Sequence, residues 1–183
     1  MEIDAAIHGI ERRLVMLKNF SVKSDGGQME IFFDQATIDR SKQILQVQGF
    51  TSRKYIYLNL GASAEKKRWM VKRFSELASR ILKKTPWNVM LGGGGPDDHK
   101  RSLAILSQLN SPRVSTACSH PLLVSADIIS KARLMVTTDT GPMHIGFAVR
   151  TPVLGLFGAS SPKSTGPYEI PDHLCRVITI KQE

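Results

Sequence analysis

The chain has 183 residues, of which 42% are hydrophobic and 22% charged, a length and composition typical of one folded domain rather than of a disordered chain. No apolar run is long enough to cross a bilayer and the acidic N-terminal residues do not resemble a secretory leader, so we expect a cytoplasmic protein. The balance of 25 Lys and Arg against 16 Asp and Glu gives a net charge of +9, which favours a polyanionic partner, with a solvated basic surface as the alternative.

Residues 1–53 differ in pattern from the rest of the chain. Residues 10–19 and 37–48 have helical patterns, a polar stretch containing glycine lies between them, and no βαβ unit is visible. We therefore predict that residues 1–53 form a helical linker or N-terminal extension.

From residue 54 onward, short apolar runs alternate with stretches of helical period. The predicted strands are residues 55–60, 88–91, 134–138, 152–157 and 175–180. The predicted helices begin at Lys66, at Lys100, at Pro121 with Ser119 or His120 as cap, and at Pro142. This alternation predicts an α/β fold with a doubly wound, Rossmann-like parallel sheet.

The most informative segment runs from an apolar strand into Asp139-Thr140-Gly141 and then into a helix whose first turn contains Pro142. Gly141 lets the backbone approach a ligand, and the free amides at the helix start favour negative charge, so this turn is a candidate diphosphate site. His144, one turn into the helix, could donate to a phosphate oxygen. The alternative is that Asp139 and Thr140 only cap the helix and that His144 packs against its neighbours.

The loop after the first strand combines small residues, a hydroxyl and three consecutive cations. Because Lys66, Lys67 and Arg68 would oppose the dipole of a helix beginning there, they suggest a bound anion, with Ser63 and Lys67 as candidate contacts. The alternative is a solvated basic cap.

The glycine run at residues 92–95 follows the second strand. Its spacing does not fit the dinucleotide-binding pattern G-x-G-x-x-G, because Asp97 or Asp98 stands where the third glycine is needed. We interpret the segment as a flexible turn in which Asp97 or Asp98 could accept from a ribose hydroxyl, or as a plain loop. A Gly/Ser/Pro-rich loop at residues 155–168 follows the fourth strand, and all of these loops are expected at the carboxyl edge of the sheet, where α/β proteins bind ligands.

Two further patterns bear on metals. Cys118 and Cys175 are the only cysteines, too few for a disulfide framework, and neither has a metal-ligand spacing. The sequence also lacks an Asp-x-Asp pair of the kind that holds a bridging divalent ion. We expect incidental thiols and no metal site.

Taken together, these segments resemble glycosyltransferase family 9, the heptosyltransferases of lipopolysaccharide core assembly. The likeness covers about residues 55–180 and is carried by residues 59–63 with 67–69, 91–98, 138–144, and 152–158 with 165–168. It corresponds only to the C-terminal, donor-binding half of the family's two-domain GT-B architecture. The resemblance therefore implies a nucleotide-sugar-binding domain at residues 54–183, with the N-terminal acceptor domain absent from this chain.

The resemblance also implies roles for particular residues. In the family, residues matching Ser63, Lys67 and the turn Asp139-Thr140-Gly141 hold the diphosphate and sugar, with the match of His144 beside them. The residue matching His120 lines the adenine pocket, and a carboxylate near Asp98 meets the ribose. The expected substrate-binding residues are Ser63, Lys67, Asp98, His120, Asp139, Thr140, Gly141 and His144.

The family resembles metal-independent inverting transferases, in which an acceptor hydroxyl attacks the anomeric carbon as the nucleoside diphosphate departs. This implies ADP-heptose or a similar nucleotide sugar as substrate, a lipopolysaccharide-type acceptor, and neither cofactor nor metal. Because the family's general base comes from the N-terminal domain, no catalytic residue is expected in this chain, and we expect it to be inactive alone. Such an acceptor is compatible with peripheral contact at the inner face of the inner membrane.

Two other functions remain open at this point. One is a non-catalytic nucleotide-binding module or a truncated, inactive remnant, which is favoured if no acceptor-domain chain associates with this one. The other is nucleic-acid binding, which the scarcity of aromatic residues near the basic clusters and the lack of a recognition motif disfavour, so no nucleic-acid partner is expected.

Overall fold

The structure, a computed structural model, describes residues 7–24 and 26–179. Two helices, α1 (Gly9–Lys18) and α2 (Gln35–Val47), precede the first strand. Strands and helices then alternate in the order β1 (Tyr55–Asn59), α3 (Val71–Lys84), β2 (Asn88–Gly92), α4 (Pro96–Leu109), β3 (Val114–Thr116), α5 (Leu122–Ser130), β4 (Leu134–Thr138), α6 (Gly141–Ala148), β5 (Val153–Phe157), α7 (Pro162–Thr165) and β6 (Cys175–Thr179). None of the helices within the described ranges is long and apolar enough to pass through a bilayer.

The strands form one six-stranded sheet in the order β3-β2-β1-β4-β5-β6, and every neighbouring pair is parallel. The chain builds outward from β1 to β3 and then returns to place β4 against the other side of β1. The direction of winding therefore reverses between β1 and β4, which leaves a crevice at their carboxyl ends. The predicted doubly wound α/β fold class is confirmed.

Helices cover both faces of this sheet. On one face α2, α5 and α6 pack over a core that contains Tyr55, Met90, Ile128 and Phe147. On the other face α3 and α4 pack over a second core of aliphatic residues around Phe74. All five residues of β1 are buried, as expected for the central strand of a sheet covered on both sides.

Part of the segment before β1 shares this packing. Leu45 of α2 and Phe50 after it belong to the core under α5. The Asp127 carboxylate of α5 accepts from the Ser41 hydroxyl of α2 and from the ammonium of Lys131. The division of the chain at residue 53 stays a prediction, but α2 lies on the sheet domain and helps to hold α5 in place.

Two predicted helix starts are wrong. Glu65–Lys67 form a 3₁₀ turn, and α3 begins only at Val71, because the chain is extended at Arg68 and Met70. In contrast, α4 begins at Pro96, so that Asp98 lies in a helical turn rather than in a loop. Proline suits the first turn of a helix, and acidic side chains there complement the helix dipole.

Smaller differences concern the remaining elements. The three-residue strand β3 and the short helix α7 were not predicted, since neither is long enough to show a period. Helix α5 begins at Leu122 with Pro121 as N-cap, so Ser119 and His120 are not its cap. The last residue of the predicted strand 175–180 lies outside the described residues.

Candidate functional site

The crevice between β1 and β4 gathers the loops that the sequence singled out. The turn at residues 139–140 leads directly from β4 into α6, which begins at Gly141 with Pro142 in its first turn. Thr140 is the N-cap residue, yet its side chain makes no capping hydrogen bond. The start of α6 therefore lacks the usual side-chain acceptor, and its dipole favours an anion from outside the helix.

Lys67 and Asp139 meet across this crevice. The Lys67 ammonium donates to the Asp139 carboxylate over 2.6 Å, although 72 residues separate them in the chain. Burial alone would raise the pKa of the Asp139 carboxyl, but hydrogen bonds from Lys67, Ser160 and Thr165 outweigh it and the pKa lies below its ordinary value. Asp139 is thus ionised, and it holds a cation beside the start of α6.

His144 lies in the first turn of α6 and is half-buried. Burial lowers the pKa of its imidazole, and nearby His8, Arg13 and Lys67 act in the same direction against the opposing charge of Asp139. The imidazole is therefore neutral near pH 7, with one N–H to donate and one nitrogen to accept. Ser63 is exposed in the turn that follows β1, on the opposite side of the crevice from Gly141.

Asp98 is placed differently from the other candidate residues. It is 9% exposed, and its carboxylate accepts from Arg68 over 2.9 Å, from Arg101 over 3.3 Å and from the amide of Gly94 over 3.2 Å. A Cβ on Gly93 would lie 2.4 Å from the Cβ of Asp98, so this glycine permits the close approach. The carboxylate is already occupied by protein donors, and its contact with a ribose stays a prediction.

Two clefts flank the crevice, one on each face of the sheet. The first, which we name the His120 cleft, has a volume of about 210 Å³ and is lined by Tyr57, Asn59, Gly93, Gly94, His120, Leu122, Ser125, Ile129, Pro142 and Ile145. Burial lowers the pKa of His120, and the charge of Arg40 contributes in the same direction. Its apolar walls with a few polar groups suit a flat heterocycle.

The second cleft, which we name the Lys67 cleft, has a volume of about 230 Å³ and is lined by Lys66, Lys67, Arg68, Trp69, Thr138, Leu156, Phe157, Gly158 and Ala159. Three cations line it beside the apolar side chains of Trp69, Leu156 and Phe157, so its wall is positively charged but largely apolar. The structure thus brings Lys67, Asp139, Thr140, Gly141 and His144 together at the crevice, with His120 in one flanking cleft. The Asp98 carboxylate lies close to Gly61 after β1 but is already engaged by Arg68 and Arg101.

Sequence reasoning missed Asn59, the last residue of β1. It is 1% exposed and its amide lies within hydrogen-bonding distance of groups on both sides of the crevice. The available signal was a polar residue inside an otherwise apolar strand. Arg68 was named only as one of three cations, because its bonds to Asp98 and to the carbonyl of Leu60 depend on how distant segments pack.

Comparisons with protein families, curated proteins and solved structures all point to the same glycosyltransferase family. The family model described as glycosyltransferase family 9 (heptosyltransferase) matches residues 3–183. Lipopolysaccharide heptosyltransferase 2 of Salmonella typhimurium is 31% identical over 117 residues, which are 62% of this chain and 33% of that protein. The chain therefore spans about a third of the length of this curated relative.

Solved structures share the fold over about half of their own length. A family 9 glycosyltransferase from Veillonella parvula superposes with a TM-score of 0.84 at 22% identity and covers 98% of this chain and 51% of its own. The ADP-heptose lps heptosyltransferase II of E. coli has a TM-score of 0.68 at 26% identity and covers 81% of this chain and 44% of its own. Since the family model spans nearly the whole sequence, the chain belongs to glycosyltransferase family 9, the heptosyltransferase family.

Proposed function

We propose that this chain is the C-terminal, donor-binding half of a heptosyltransferase and that it binds ADP-heptose or a closely related ADP-sugar. The observation that carries the proposal is the start of α6, where an N-terminus without a side-chain cap faces the Lys67 ammonium at the point where the winding of the sheet reverses. A diphosphate needs backbone donors and a cation in this arrangement. The relatives named for lipopolysaccharide heptose transfer support the choice of sugar nucleotide.

The two clefts suggest how the donor would lie. We place the diphosphate against the amide of Gly141, with Thr140 and Lys67 as side-chain donors and Ser63 across the crevice. The His120 cleft would take the adenosine, as the resemblance implies for the residue matching His120, and its largely apolar walls suit the base. The Lys67 cleft would take the sugar, with the ionised Asp139 as acceptor for a sugar hydroxyl.

In this proposal the reaction is an inverting transfer. The acceptor hydroxyl attacks the anomeric carbon while the bond from that carbon to the diphosphate oxygen breaks, and ADP leaves with the bonding electrons. The amide of Gly141, the neutral imidazole of His144 and the Lys67 ammonium would stabilise the charge on the leaving group, without a metal ion. The base that removes the acceptor proton is assigned to the acceptor half, so the chain alone is expected to be inactive.

A lipid-linked acceptor would place the protein at the inner face of the inner membrane, and one surface supports this. Leu17, Phe20 and Val22 are exposed beside the exposed cations Arg13 and Lys18, and the Phe20 side chain is 75% exposed. Apolar and basic groups in combination bind anionic bilayers. Flotation with anionic vesicles should recover the wild-type chain and recover less of Phe20→Ser. Equal recovery with neutral vesicles would contradict the electrostatic part.

The proposal is tested by calorimetric titration with ADP and with ADP-heptose. The wild type should bind both, and Asp139→Ala should lose about tenfold in affinity for ADP-heptose, because a charged hydrogen-bond acceptor and the anchor of Lys67 are removed. Glu76→Ala is the matched control, since Glu76 is an exposed carboxylate on α3 that lines neither cleft. Absent heat, or equal affinities for wild type and Asp139→Ala, would contradict the donor site.

The same titration separates the alternative of a non-catalytic nucleotide-binding module. Such a module would bind ADP and ADP-heptose with the same affinity. In a separate activity assay, it would form no product when an acceptor half is supplied. A transferase half would instead restore product formation in that mixture. The alternative rests on the fact that the chain spans about a third of its curated relative.

A further inference from the structure

Asn59 lies where the two sides of the crevice come closest. It is the last residue of β1, and its Nδ2 is 3.1 Å from the carbonyl oxygen of Gly61 on the β1 side. On the β4 side the same nitrogen is 3.0 Å from Thr137 Oγ1 and 3.2 Å from Thr140 Oγ1. One buried side-chain amide therefore contacts the loop after β1, the strand β4 and the N-cap of α6.

The hydrogen-bond inventory around this amide fixes where the hydroxyl hydrogens point. A carbonyl oxygen such as that of Gly61 only accepts, so the atom facing it is the NH₂ group of Asn59. Thr137 donates its own hydrogen to the carbonyl of Thr138 over 3.0 Å. With one amide hydrogen directed at Gly61, the two threonine hydroxyl oxygens share the other, and Thr140 Oγ1 lies 3.5 Å from Thr137 Oγ1, the outer limit of a hydrogen bond.

Among the described residues, the hydrogen of Thr140 then has only the distant Thr137 Oγ1, at 3.5 Å, as an acceptor. A threonine at an N-cap normally turns its oxygen toward the amides of the first helical turn, and Thr140 does not. Asn59 has engaged that oxygen from the other side. The Thr140 hydroxyl is therefore available to donate toward an anion beside the amide of Gly141, whereas Pro142 has no amide hydrogen and the Met143 amide donates to the Thr140 carbonyl over 3.0 Å.

We propose that Asn59 is a positioning residue for donor binding, which acts by holding the Thr140 hydroxyl as a donor toward the diphosphate and away from its own helix. The inference rests on the proposed function, since it needs an anion at the start of α6. Asn59 borders the His120 cleft but is 1% exposed, and its Nδ2 is engaged by protein oxygens, so we assign its effect to Thr140.

A double-mutant cycle on ADP affinity tests this role. Asn59→Ala and Thr140→Val should each weaken ADP binding by about tenfold, the loss typical of one hydrogen bond to a charged group. The double variant should be weakened by about tenfold as well, and not by about a hundredfold, because both changes remove the same interaction. Additive losses, or unchanged affinity in Asn59→Ala, would overturn the proposal.

Thr137→Val is the matched control, since it removes the other hydroxyl that contacts Asn59 but lies fully buried behind the crevice. It should lower the melting temperature and leave ADP affinity within about twofold. If Asn59→Ala does not fold, Asn59→Ser is used in the same cycle, because its hydroxyl is too short to reach Thr140. Failure of the wild type to bind ADP would reject the proposed function itself, whereas normal wild-type binding with additive variants rejects only the role of Asn59.

Discussion

Lys67 and Arg68 are neighbours in the chain, yet they are used in opposite ways. The Lys67 ammonium contacts one group, the carboxylate of Asp139, and its side chain is 23% exposed. The Arg68 guanidinium contacts three, which are the carboxylates of Asp98 and Glu65 and the carbonyl oxygen of Leu60. One cation bonds across the crevice to the turn after β4, and the other ties β1, the 3₁₀ turn and α4 together.

The difference shows how one cation can contact a ligand while its neighbour fixes the position of the loop that carries both. An ammonium that bonds a single carboxylate can also bond a phosphate, or exchange the carboxylate for it, because a point charge requires no fixed bonding geometry. A guanidinium with several acceptors in its plane is fixed by them. Arg68 therefore sets the position of the turn that carries Lys67, and the Lys67 ammonium can be shared between Asp139 and a phosphate.

The first variant removes Arg68, the cation with the larger number of protein partners. Arg68→Ala should lower the free energy of unfolding by about 2 kcal/mol, since it leaves the largely buried Asp98 with one fewer charged partner. Urea unfolding measures the change. Arg73→Ala, which removes an exposed ion pair with Glu76, is the control and should cost less than about 0.5 kcal/mol. An equal loss in the free energy of unfolding for the two variants would contradict a structural role for Arg68.

The binding cation gives the complementary test. Lys67→Ala should weaken ADP binding by about tenfold and also lower the melting temperature, because it leaves the buried carboxylate of Asp139 without its ammonium partner. Lys66→Ala is the control at the adjacent exposed position and should change affinity by less than about threefold. Calorimetry gives the affinities, and a Lys66 effect as large as that of Lys67 would reduce the site to a diffuse basic surface.

The smallest expected effect concerns the neutral imidazole beside the two cations. Because the folded pKa of His144 lies below the unfolded value of about 6.5, its contribution to stability is fully present above pH 6.5 and is lost as pH falls through the folded pKa. His144→Gln should reduce the loss of stability between pH 7.5 and about pH 5.5 by less than about 1 kcal/mol. His120 has a lowered pKa too, so part of the pH dependence should remain. Urea unfolding at the two pH values measures this, and an unchanged pH dependence would contradict it.

Much of the fold could be predicted from the sequence, because the central strands are long apolar runs and the helix after Pro142 has a clear start signal. The turn at residues 139–141 was predicted for the same reason, since Gly and Pro mark it locally. Strand β3 could not be predicted, as three residues carry no period. The start of α4 was hidden by the preceding glycine run, although Pro96 was a usable signal.

The candidate site was predictable residue by residue but not as a network. Sequence patterns indicated Lys67 and Asp139 separately, whereas their contact joins segments 72 residues apart and depends on β4 returning beside β1. The same return places Thr140 against Asn59. Asp98 was a candidate because it follows the glycine run after the second strand and because the resemblance implies a carboxylate near it, and only packing reveals its bond to Arg68.

The most direct test of the account is an amide NMR titration with ADP, because it observes the backbone group on which diphosphate binding depends. The amide resonances of Gly141 and His144 should shift as ADP is added, and should saturate at the affinity that calorimetry gives. In Lys67→Ala the same shifts should need about tenfold more ADP. Binding of ADP that leaves the Gly141 amide unmoved while residues elsewhere shift would contradict the assignment of the α6 N-terminus as the diphosphate site.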